Sequence, residues 1–328
     1  MKYRILGKTN FKISEVSLGT WQVGGKWGTK FDDKNAEAII NRAIEKGVNF
    51  IDTADVYSDG LSEKAVARVV KASGKRIYIA TKCGRRLSPH VASGYNAENL
   101  TKFVEDSLRN MNLDTIDLIQ LHCPPTEVYY RPEVFELFDK LKQQGKILNL
   151  GVSVEKVEEA LKAIEYPNVT TVQIIFNMFR QRPAELFFKE AKKKNIGVIV
   201  RVPLASGLLS GKFTRDTKFE NGDHRKGNRN GEWFDKGETF SGVDYEKGLE
   251  AVEELKKVFP QEPSLAVWAI KWVLMFKEVS TVIPGASRPE QVDSNVSASD
   301  LRSLTAKEMR KVKEIYEKYI KVDVHQRW

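Results

Sequence analysis

The sequence predicts a (β/α)₈ barrel, an α/β fold, from three observations. Eight short apolar runs rich in β-branched residues alternate with segments of helical periodicity. The alternation continues along the whole chain, with no break that would separate two domains. No GxGxxG motif follows any of the predicted strands, which disfavours the main alternative, an open doubly wound sheet. We therefore expect residues 1–328 to form a single barrel domain.

The predicted strands share a high content of Val, Ile and Leu, which is typical of parallel strands that are buried on both faces. They lie at Val16–Leu18, Phe50–Asp52, Ile77–Thr81, Ile116–Leu121, Leu148–Val152, Val172–Phe176, Val198–Val202 and Thr281–Ile283.

Helical spacing of apolar residues predicts outer helices between these strands. The clearest cases are Asn35–Lys46, Glu98–Asn110 and Arg131–Gln143. Gly145 follows the third and is expected to end it in the left-handed conformation. An extra C-terminal helix is expected from Thr305 to Tyr319, because Thr305 and Glu308 have the spacing of a capping box.

Two segments depart from a simple barrel. Tyr3–Ile13 places turn residues between short apolar runs, which predicts a hairpin across the floor of the barrel. Lys212–Tyr245 is long, polar and rich in glycine, and loops of this length in compact domains are usually functional or mobile.

Composition excludes several classes of protein. The chain is 41% hydrophobic and 30% charged, as expected for a soluble protein with a large core. Its first residues lack the apolar stretch of a signal peptide, and the most apolar run, Leu265–Phe276, is interrupted by Lys271. We therefore expect no membrane segment. Two cysteines form no disulfide framework, which favours a reducing cytoplasm, and the four histidines do not have metal-ligand spacing.

The net charge of +9 suggests anionic partners. Nucleic acid and a phosphate-bearing cofactor both fit this charge, as does a basic surface that simply faces solvent. Nucleic acid is the weaker interpretation, because the basic residues are not interleaved with aromatic residues.

Four polar residues fall at the ends of consecutive predicted strands, where barrel enzymes carry their active sites. They are Asp52, Tyr57, Lys82 and His122. Each alone also fits a structural role, as a turn cap, a rim aromatic, a surface lysine or a backbone-bonded histidine. Together they predict a proton-transfer unit.

The chemistry of carbonyl reduction fits these four residues. A tyrosine with a pKa of about 10 is a poor acid at pH 7. An adjacent Lys82 ammonium would lower the pKa of Tyr57, and Asp52 would keep Lys82 charged. His122 would donate a hydrogen bond to the carbonyl oxygen of the substrate.

Along nearly its whole length the sequence resembles the aldo-keto reductase superfamily. The resemblance is carried by SLGTWQVGG at 17–25, FIDTADVYSDGLSE at 50–63, LIQLH at 118–122, LGVS at 150–153, VQIIFN at 172–177, PLASGLLSGK at 203–212 and IPGASRPEQVDSN at 283–295. It is greatest to the bacterial branch related to the potassium-channel β subunits. The resemblance implies that Asp52, Tyr57, Lys82 and His122 are a catalytic tetrad and that NADPH/NADP⁺ is the cofactor.

The same resemblance implies a cofactor site. Thr20, Trp21 and Asp52 would lie at the nicotinamide, and Ser153 and Gln173, with Asn177 nearby, would bind its carboxamide. Val202, Pro203, Leu204, Ser206, Lys212 and Arg225 would lie along the pyrophosphate. Gly285, Ser287, Arg288, Gln291 and Asn295 would hold the adenosine 2′-phosphate and adenine. From the residues alone, a glycine turn, a hydroxyl and an arginine before a helix suit an anion, although an ordinary loop entering a helix has the same pattern.

Arg201 departs from the family pattern, which often has an aromatic residue at this position. An arginine stacked on the nicotinamide would favour binding of NADPH over NADP⁺. The alternative is that Arg201 pairs with a nearby acid and does not touch the ring.

Two further hypotheses concern residues near the rim. Cys83 and Cys123 follow Lys82 and His122, so a redox-sensitive pair is possible, against the simpler interpretation of two packed thiols. The basic first half of the long loop, with Lys212 and Arg225, is expected to fold partly over the cofactor; a solvated loop is the alternative.

The predicted function is NADPH-dependent reduction of a small aldehyde or ketone. The first alternative is a non-catalytic NADPH-binding accessory protein, and the second is a barrel hydrolase, which would need paired carboxylates at strand ends. The sequence names neither the substrate nor the oligomeric state, and a monomer is compatible with it. Pocket shape is expected to depend on loops around Trp21, Trp27 and Tyr129 and on the tail ending at Trp328, although Trp27 and Trp328 could also pack on the rim.

Overall fold

A computed structural model describes residues 1–25 and 30–328 of the chain. Eight parallel strands form one curved sheet in which each strand pairs with its neighbours in chain order. A two-stranded antiparallel hairpin precedes them. The strands are β1 Tyr3–Ile5, β2 Lys12–Ser14, β3 Leu18–Gly19, β4 Phe50–Asp52, β5 Tyr78–Cys83, β6 Ile116–His122, β7 Ile147–Ser153, β8 Val169–Ile175, β9 Gly197–Arg201 and β10 Val279–Val282.

The first and last parallel strands meet and close the barrel. Val16 and Gly19 form parallel bridges to Val282 and Gly285. The Ser17 amide donates to the carbonyl oxygen of Val282 at 2.9 Å, and the Val282 amide donates to that of Glu15 at 3.0 Å. This closure confirms the predicted barrel.

The hairpin β1–β2 covers the amino-terminal end of the barrel, as predicted. Leu6 and Ile13 are fully buried there. They pack against inward-facing residues of the barrel strands, namely Phe50, Ala80, Leu118, Ile199 and Ile283. The carboxyl ends of the strands, where barrel enzymes carry their active sites, lie at the opposite end.

Helices surround the sheet, and the longer ones bury an apolar face against the outer surface of the strands or against neighbouring helices. They are α1 Asp33–Glu45, α2 Leu61–Ser73, α3 Ala97–Met111, α4 Pro132–Gln143, α5 Val157–Ala163, α6 Phe187–Lys193, α7 His224–Gly227, α8 Tyr245–Val258, α9 Leu265–Leu274, α10 Pro289–Ser297, α11 Ala306–Tyr319 and α12 Lys321–Val324.

The predicted helix boundaries agree with these bounds to within two residues. Gly145, which follows α4, has a φ of 74°, the predicted left-handed conformation. Thr305 caps α11, where the Glu308 amide donates to its hydroxyl at 3.2 Å and the Thr305 amide donates to the Glu308 carboxylate at 2.7 Å. The capping box is thus confirmed.

The segment between β9 and α8 contains the long loop predicted at Lys212–Tyr245. It includes the short helix α7 and lies against the carboxyl end of the barrel, where several of its residues line a cavity. Among the described residues, no helix is long and apolar enough to cross a membrane.

Candidate active site

A cavity of about 1330 Å³ opens at the carboxyl ends of the strands. Most of the predicted site residues line it: Thr20, Trp21, Asp52, Tyr57, His122, Gln173, Arg201, Val202, Pro203, Leu204, Ser206, Lys212, Arg225, Gly285, Arg288, Gln291 and Asn295. The strand ends thus bring together residues from the whole length of the chain.

Lys82 lies beneath the cavity floor and contacts both Asp52 and Tyr57. Its ammonium donates to Oδ1 of Asp52 in a short ion pair, and to the backbone oxygen of Thr53 at 2.8 Å. The same nitrogen lies 3.3 Å from the Tyr57 hydroxyl. Lys82 is only 1% exposed, so this charge acts in a site from which water is excluded.

The electrostatics of this group agree only in part with the sequence prediction. Burial lowers the pKa of Lys82, but Asp52 and Tyr57 outweigh it and raise that pKa above its ordinary value. Burial also raises the pKa of Tyr57, and the charge of Lys82 lowers it by less. Lys82 therefore acts in the predicted direction, but the prediction of a net lowering of the Tyr57 pKa was wrong, because desolvation of the phenolate outweighs the attraction.

Two glutamine side chains hold the other oxygen of Asp52. The side-chain amides of Gln120 and Gln173 donate to Oδ2 of Asp52 at 2.9 and 2.8 Å. Gln173 also donates to the amide oxygen of Gln120 at 3.1 Å. Gln120 was missed by the sequence reasoning, although its position two residues before His122 gives it the same inward direction on β6.

His122 faces the cavity beside Tyr57, with their ring centroids 6.0 Å apart. It is 5% exposed, and its Nδ1 has no hydrogen-bond partner among the described residues. Burial, and then the positive charges of Arg85 and Lys82, lowers the pKa of His122 well below its ordinary value. A neutral imidazole keeps one N–H donor and one acceptor nitrogen.

Hydroxyl groups fix the loop that carries Tyr57. Thr20 donates to the backbone oxygen of Asp52 at 3.1 Å, and Ser62 donates to Thr20 at 2.9 Å. The ring of Trp21 packs edge-on against Tyr57, with centroids 5.2 Å apart. Trp21 and Tyr57 therefore form one side of the cavity next to the reactive groups.

The opposite end of the cavity carries basic groups. Arg288 is 59% exposed, and the acid it approaches, Glu290, is 3.7 Å away. Lys212 is exposed and has no ion-pair partner in the described ranges 1–25 and 30–328. Arg225, by contrast, is paired with Asp223 at 2.6 Å, which ties it to its own loop. This end can accept an anion.

Some predicted residues lie outside the cavity lining. Ser153 is buried with its hydroxyl 3.4 Å from the sulfur of Cys123. The Asn177 amide donates to Ser241 and to the backbone of Val202, at 2.7 and 2.9 Å. The backbone amide and hydroxyl of Ser287 face Oε1 of Gln291, at 2.7 and 3.1 Å. Asn177 thus binds residues 25 and 64 positions away, whereas Ser287 binds a residue four positions away, and neither set of hydrogen bonds could be predicted from the sequence pattern.

Arg201 is ion-paired, as the alternative prediction proposed. Its Nη2 and Nη1 atoms donate to Glu155 and Glu238, both at 2.9 Å. Arg85 also donates to Glu238, at 2.6 Å. We call Arg85, Glu155, Arg201 and Glu238 the ionic cluster. Two carboxyl groups beside Arg201 offset its charge, which weakens the predicted discrimination between NADPH and NADP⁺.

A sulfur and two carboxylates lie close enough together here to suggest a metal ion. Ligand atoms of Cys123, Glu155 and Glu238 are all within 4.8 Å of one another. However, Arg201 donates to both carboxylates and lies 3.5 Å from the sulfur. Because a guanidinium already supplies the positive charge, we assign no metal to this group.

The predicted cysteine pair is not formed. Cys83 and Cys123 are both free and buried. Cys83 is opposite Leu121 in the β5–β6 register, two residues short of Cys123, and packs in the core outside the barrel. Both cysteines follow a strand end, but the pairing of β5 with β6 does not place them opposite each other. The proposed redox role of this pair therefore loses its basis.

The aromatic residues expected to shape the pocket have different locations. Trp328 is 6% exposed and packs under Arg180, and its indole N–H donates to Asp235 at 2.8 Å. Tyr129 is fully buried, with its hydroxyl 3.3 Å from the backbone oxygen of Ser153. Trp27 lies outside the described residues. Trp328 thus follows the alternative prediction of packing on the rim.

The fold and the site together define a (β/α)₈ barrel with a cavity and its candidate catalytic residues at the carboxyl ends of the strands. Residues 15–317 match the Aldo/keto reductase family. The chain therefore belongs to this family of oxidoreductases, which bind nicotinamide cofactors. The resemblance predicted from the motifs is confirmed.

Similar proteins cover nearly the whole chain. A solved structure of glycerol dehydrogenase AKR11B4 from Gluconobacter oxydans is 32% identical, with a TM-score of 0.78, and the match covers 97% of this chain and 95% of that one. Aldo-keto reductase YhdN from Bacillus subtilis is 29% identical over 96% of this chain and 94% of its own.

Two further relatives bear on the branch and on the cofactor. A probable voltage-gated potassium channel subunit beta from Arabidopsis thaliana is 28% identical, with 92% of each chain covered. The NADH-specific methylglyoxal reductase of Escherichia coli is 27% identical over 92% of this chain and 94% of its own. The relationship to channel β subunits is thus confirmed.

Proposed function

We propose that the protein reduces the carbonyl group of a small aldehyde or ketone to an alcohol, with NADPH as the reductant and Tyr57 as the proton donor. The observation that carries this proposal is the contact of the buried Lys82 ammonium with the Tyr57 hydroxyl, 3.3 Å away, below a large cavity. Neutral His122 lies on the same side of that cavity.

The residues present fit a dinucleotide. The cavity is long enough to join the group around Tyr57 to the basic end around Arg288 and Lys212. At that end a Cβ on Gly285 would have, among residues 1–25 and 30–328, only Gly19 and Gln22 atoms near it, at 3.8 and 3.9 Å, so the backbone is open to a ligand. Exposed cations with few acidic partners suit phosphate groups. When bound, NADPH supplies the hydride that the carbonyl carbon accepts.

The chain's own residues would carry the proton. The N–H of neutral His122 would orient the carbonyl oxygen and stabilise the negative charge that develops on it. The Tyr57 hydroxyl would donate its proton to this oxygen. Lys82 would stabilise the resulting phenolate, and Asp52, fixed by Gln120 and Gln173, would keep Lys82 charged and in place.

The preference for NADPH rests on Arg288. NADPH and NADH differ in the 2′-phosphate, for which a guanidinium is the natural bidentate partner. One relative is named for NADH specificity, so this part of the proposal requires its own test. The intact contact between Lys82 and Tyr57 favours an enzyme over a non-catalytic accessory protein.

We also propose that residues 1–328 act as one domain in the cytoplasm. The barrel strands extend from residue 18 to residue 282, and helices α10 and α11 pack against helices of the barrel, α1 and α9 in the first case and α8 in the second. Both cysteines are free thiols, which suits a reducing compartment.

The test is the loss of NADPH absorbance with a panel of aldehydes and ketones, repeated with NADH. We expect turnover of at least one carbonyl compound and a higher kcat/KM with NADPH. Binding of NADPH without turnover of any carbonyl in the panel would instead support the accessory protein.

A further inference from the structure

The ionic cluster forms a charged wall of the cavity beside His122. All four of its side chains line the cavity, and each is between 10% and 20% exposed. They come from three strand ends and from the long loop, so four separate parts of the chain converge here. The proposed reaction assigns none of them a role.

The wall offers hydrogen-bond donors and acceptors side by side. Arg85 donates one hydrogen bond to the described residues, from Nη2 to Glu238, which leaves its other N–H groups for a ligand. Burial and the charge of Glu238 raise the pKa of Glu155 to about 8, whereas Arg85 and Arg201 hold the pKa of Glu238 well below its usual range despite burial. Of the two acids, Glu238 is thus the one that the arginines hold as a carboxylate.

Aromatic rings form an adjoining part of the same cavity wall. Trp21 packs edge-on against both His224 and Phe234, with centroids 6.3 and 6.4 Å away. The guanidinium of Arg85 lies 5.5 Å from the ring centre of Phe234, where the charged and aromatic walls meet. A ligand between them would contact apolar surface on one side and polar groups on the other.

We propose that the ionic cluster is the substrate-recognition site and that it selects neutral carbonyl compounds with a hydroxyl group next to the carbonyl. This inference rests on the proposed function. A hydroxyl both donates and accepts, so it matches a wall that carries Arg85 and Glu238 together. A charged substrate would meet a group of opposite and a group of like sign at the same place.

The selection arises from desolvation. When an alkyl group is placed against the cluster, water is removed from the guanidinium and carboxylate groups and nothing replaces it. A hydroxyl group restores the lost hydrogen bonds. Sites built to bind a hydroxyl reject analogues that lack it by factors of about 10⁴–10⁵ when fully buried. The wall here is partly open to solvent, so we expect kcat/KM for a substrate with the hydroxyl to exceed that for an analogue without it by a factor of at least about ten.

The experiment compares three small ketones with wild-type enzyme and NADPH. Hydroxyacetone carries the hydroxyl; 2-butanone replaces it with a methyl group of similar size; methoxyacetone keeps the electron-withdrawing oxygen but cannot donate. We expect the kcat/KM of hydroxyacetone to exceed both others at least tenfold. A value for either analogue within threefold of hydroxyacetone would overturn the inference.

Reduction of 4-nitrobenzaldehyde, which has no hydroxyl, separates this inference from the proposed function. If this aldehyde is reduced but hydroxyacetone has no advantage, the inference alone fails. If no carbonyl compound is reduced, the proposed function fails and the inference with it.

Variants locate the selection in the cluster. Arg85→Met should bring the ratio of hydroxyacetone to 2-butanone towards one. Arg86→Met is the matched control, because Arg86 pairs with Asp59 and does not line the cavity. This variant should keep the wild-type ratio. Glu238→Gln, which retains the side-chain volume but removes the carboxylate beside Arg85, serves as the second variant if Arg85→Met does not fold. An unchanged ratio in a folded Arg85→Met or Glu238→Gln enzyme would contradict the assignment.

Discussion

The side-chain nitrogen of buried Lys82 lies 3.3 Å from the hydroxyl oxygen of Tyr57, which is half-buried in the cavity wall. We expect Tyr57→Phe to lower kcat by about 10²–10⁴-fold, because general acid catalysis contributes that much. Fluorescence titration should show that NADPH binding persists. Near-normal kcat in the folded variant would remove Tyr57 from its proposed role.

The exposed guanidinium of Arg288 is expected to choose the cofactor. Charge-assisted hydrogen bonds contribute about 1.5–3 kcal/mol, so Arg288→Ala should raise the Kd of NADPH roughly 10- to 100-fold and leave that of NADH nearly unchanged. Arg310→Ala, an exposed arginine that does not line the cavity, is the control. Equal losses for both cofactors would mean that Arg288 does not bind the 2′-phosphate.

Arg201 is expected to be mainly structural, because two carboxyl groups share its guanidinium. Removing one partner from a buried charge group costs about 3–5 kcal/mol, so Arg201→Met should lower the free energy of unfolding by about that amount in urea. In the variant Arg201→Tyr, we expect the Kd ratio of NADP⁺ to NADPH to change little. A large change in that ratio would restore the charge-selective role.

Gln120 is expected to position Asp52. In Gln120→Leu, Asp52 loses one of its two amide donors and Gln173 loses its acceptor. The free energy of unfolding should fall by about 1.5–3 kcal/mol, and kcat should fall more than KM rises. Gln143→Leu, on the exposed end of α4, is the surface control. An unchanged kcat in Gln120→Leu would show that Asp52 positions Lys82 without the hydrogen bond from Gln120.

Buried His122 should make the fold sensitive to acid. Because its folded pKa is far below the unfolded value of about 6.5, the unfolded chain binds the proton first and stability falls as pH drops below about 6.5. The slope for one such group is about 1.4 kcal/mol per pH unit. His122→Asn should therefore lose less stability than wild type between pH 6.5 and 5. Parallel unfolding curves against pH would exclude this contribution.

Much of the fold could be predicted because burial leaves a periodic pattern. All eight parallel strands lie where apolar runs predicted them, within about two or three residues. Some strands end later than predicted because their hydrogen bonding continues into polar residues, as at His122 and Ser153. A pattern of apolar residues cannot indicate that a polar residue still belongs to the strand. The grouping of Asp52, Tyr57, Lys82 and His122 could also be predicted, since residues that follow parallel strands must meet at one end of a barrel.

The sequence by itself determined the barrel, its closing hairpin and the meeting of Asp52, Tyr57, Lys82 and His122 at one end, because each depends on local periodicity or on the position of a residue at a strand end. Only the tertiary structure decided the partners of these residues. Arg201 pairs with acids 46 and 37 positions away, and Gln120 binds an aspartate 68 positions away. Such pairs depend on where loops cross the rim and on the register between strands, and neither is written in the spacing of neighbouring residues.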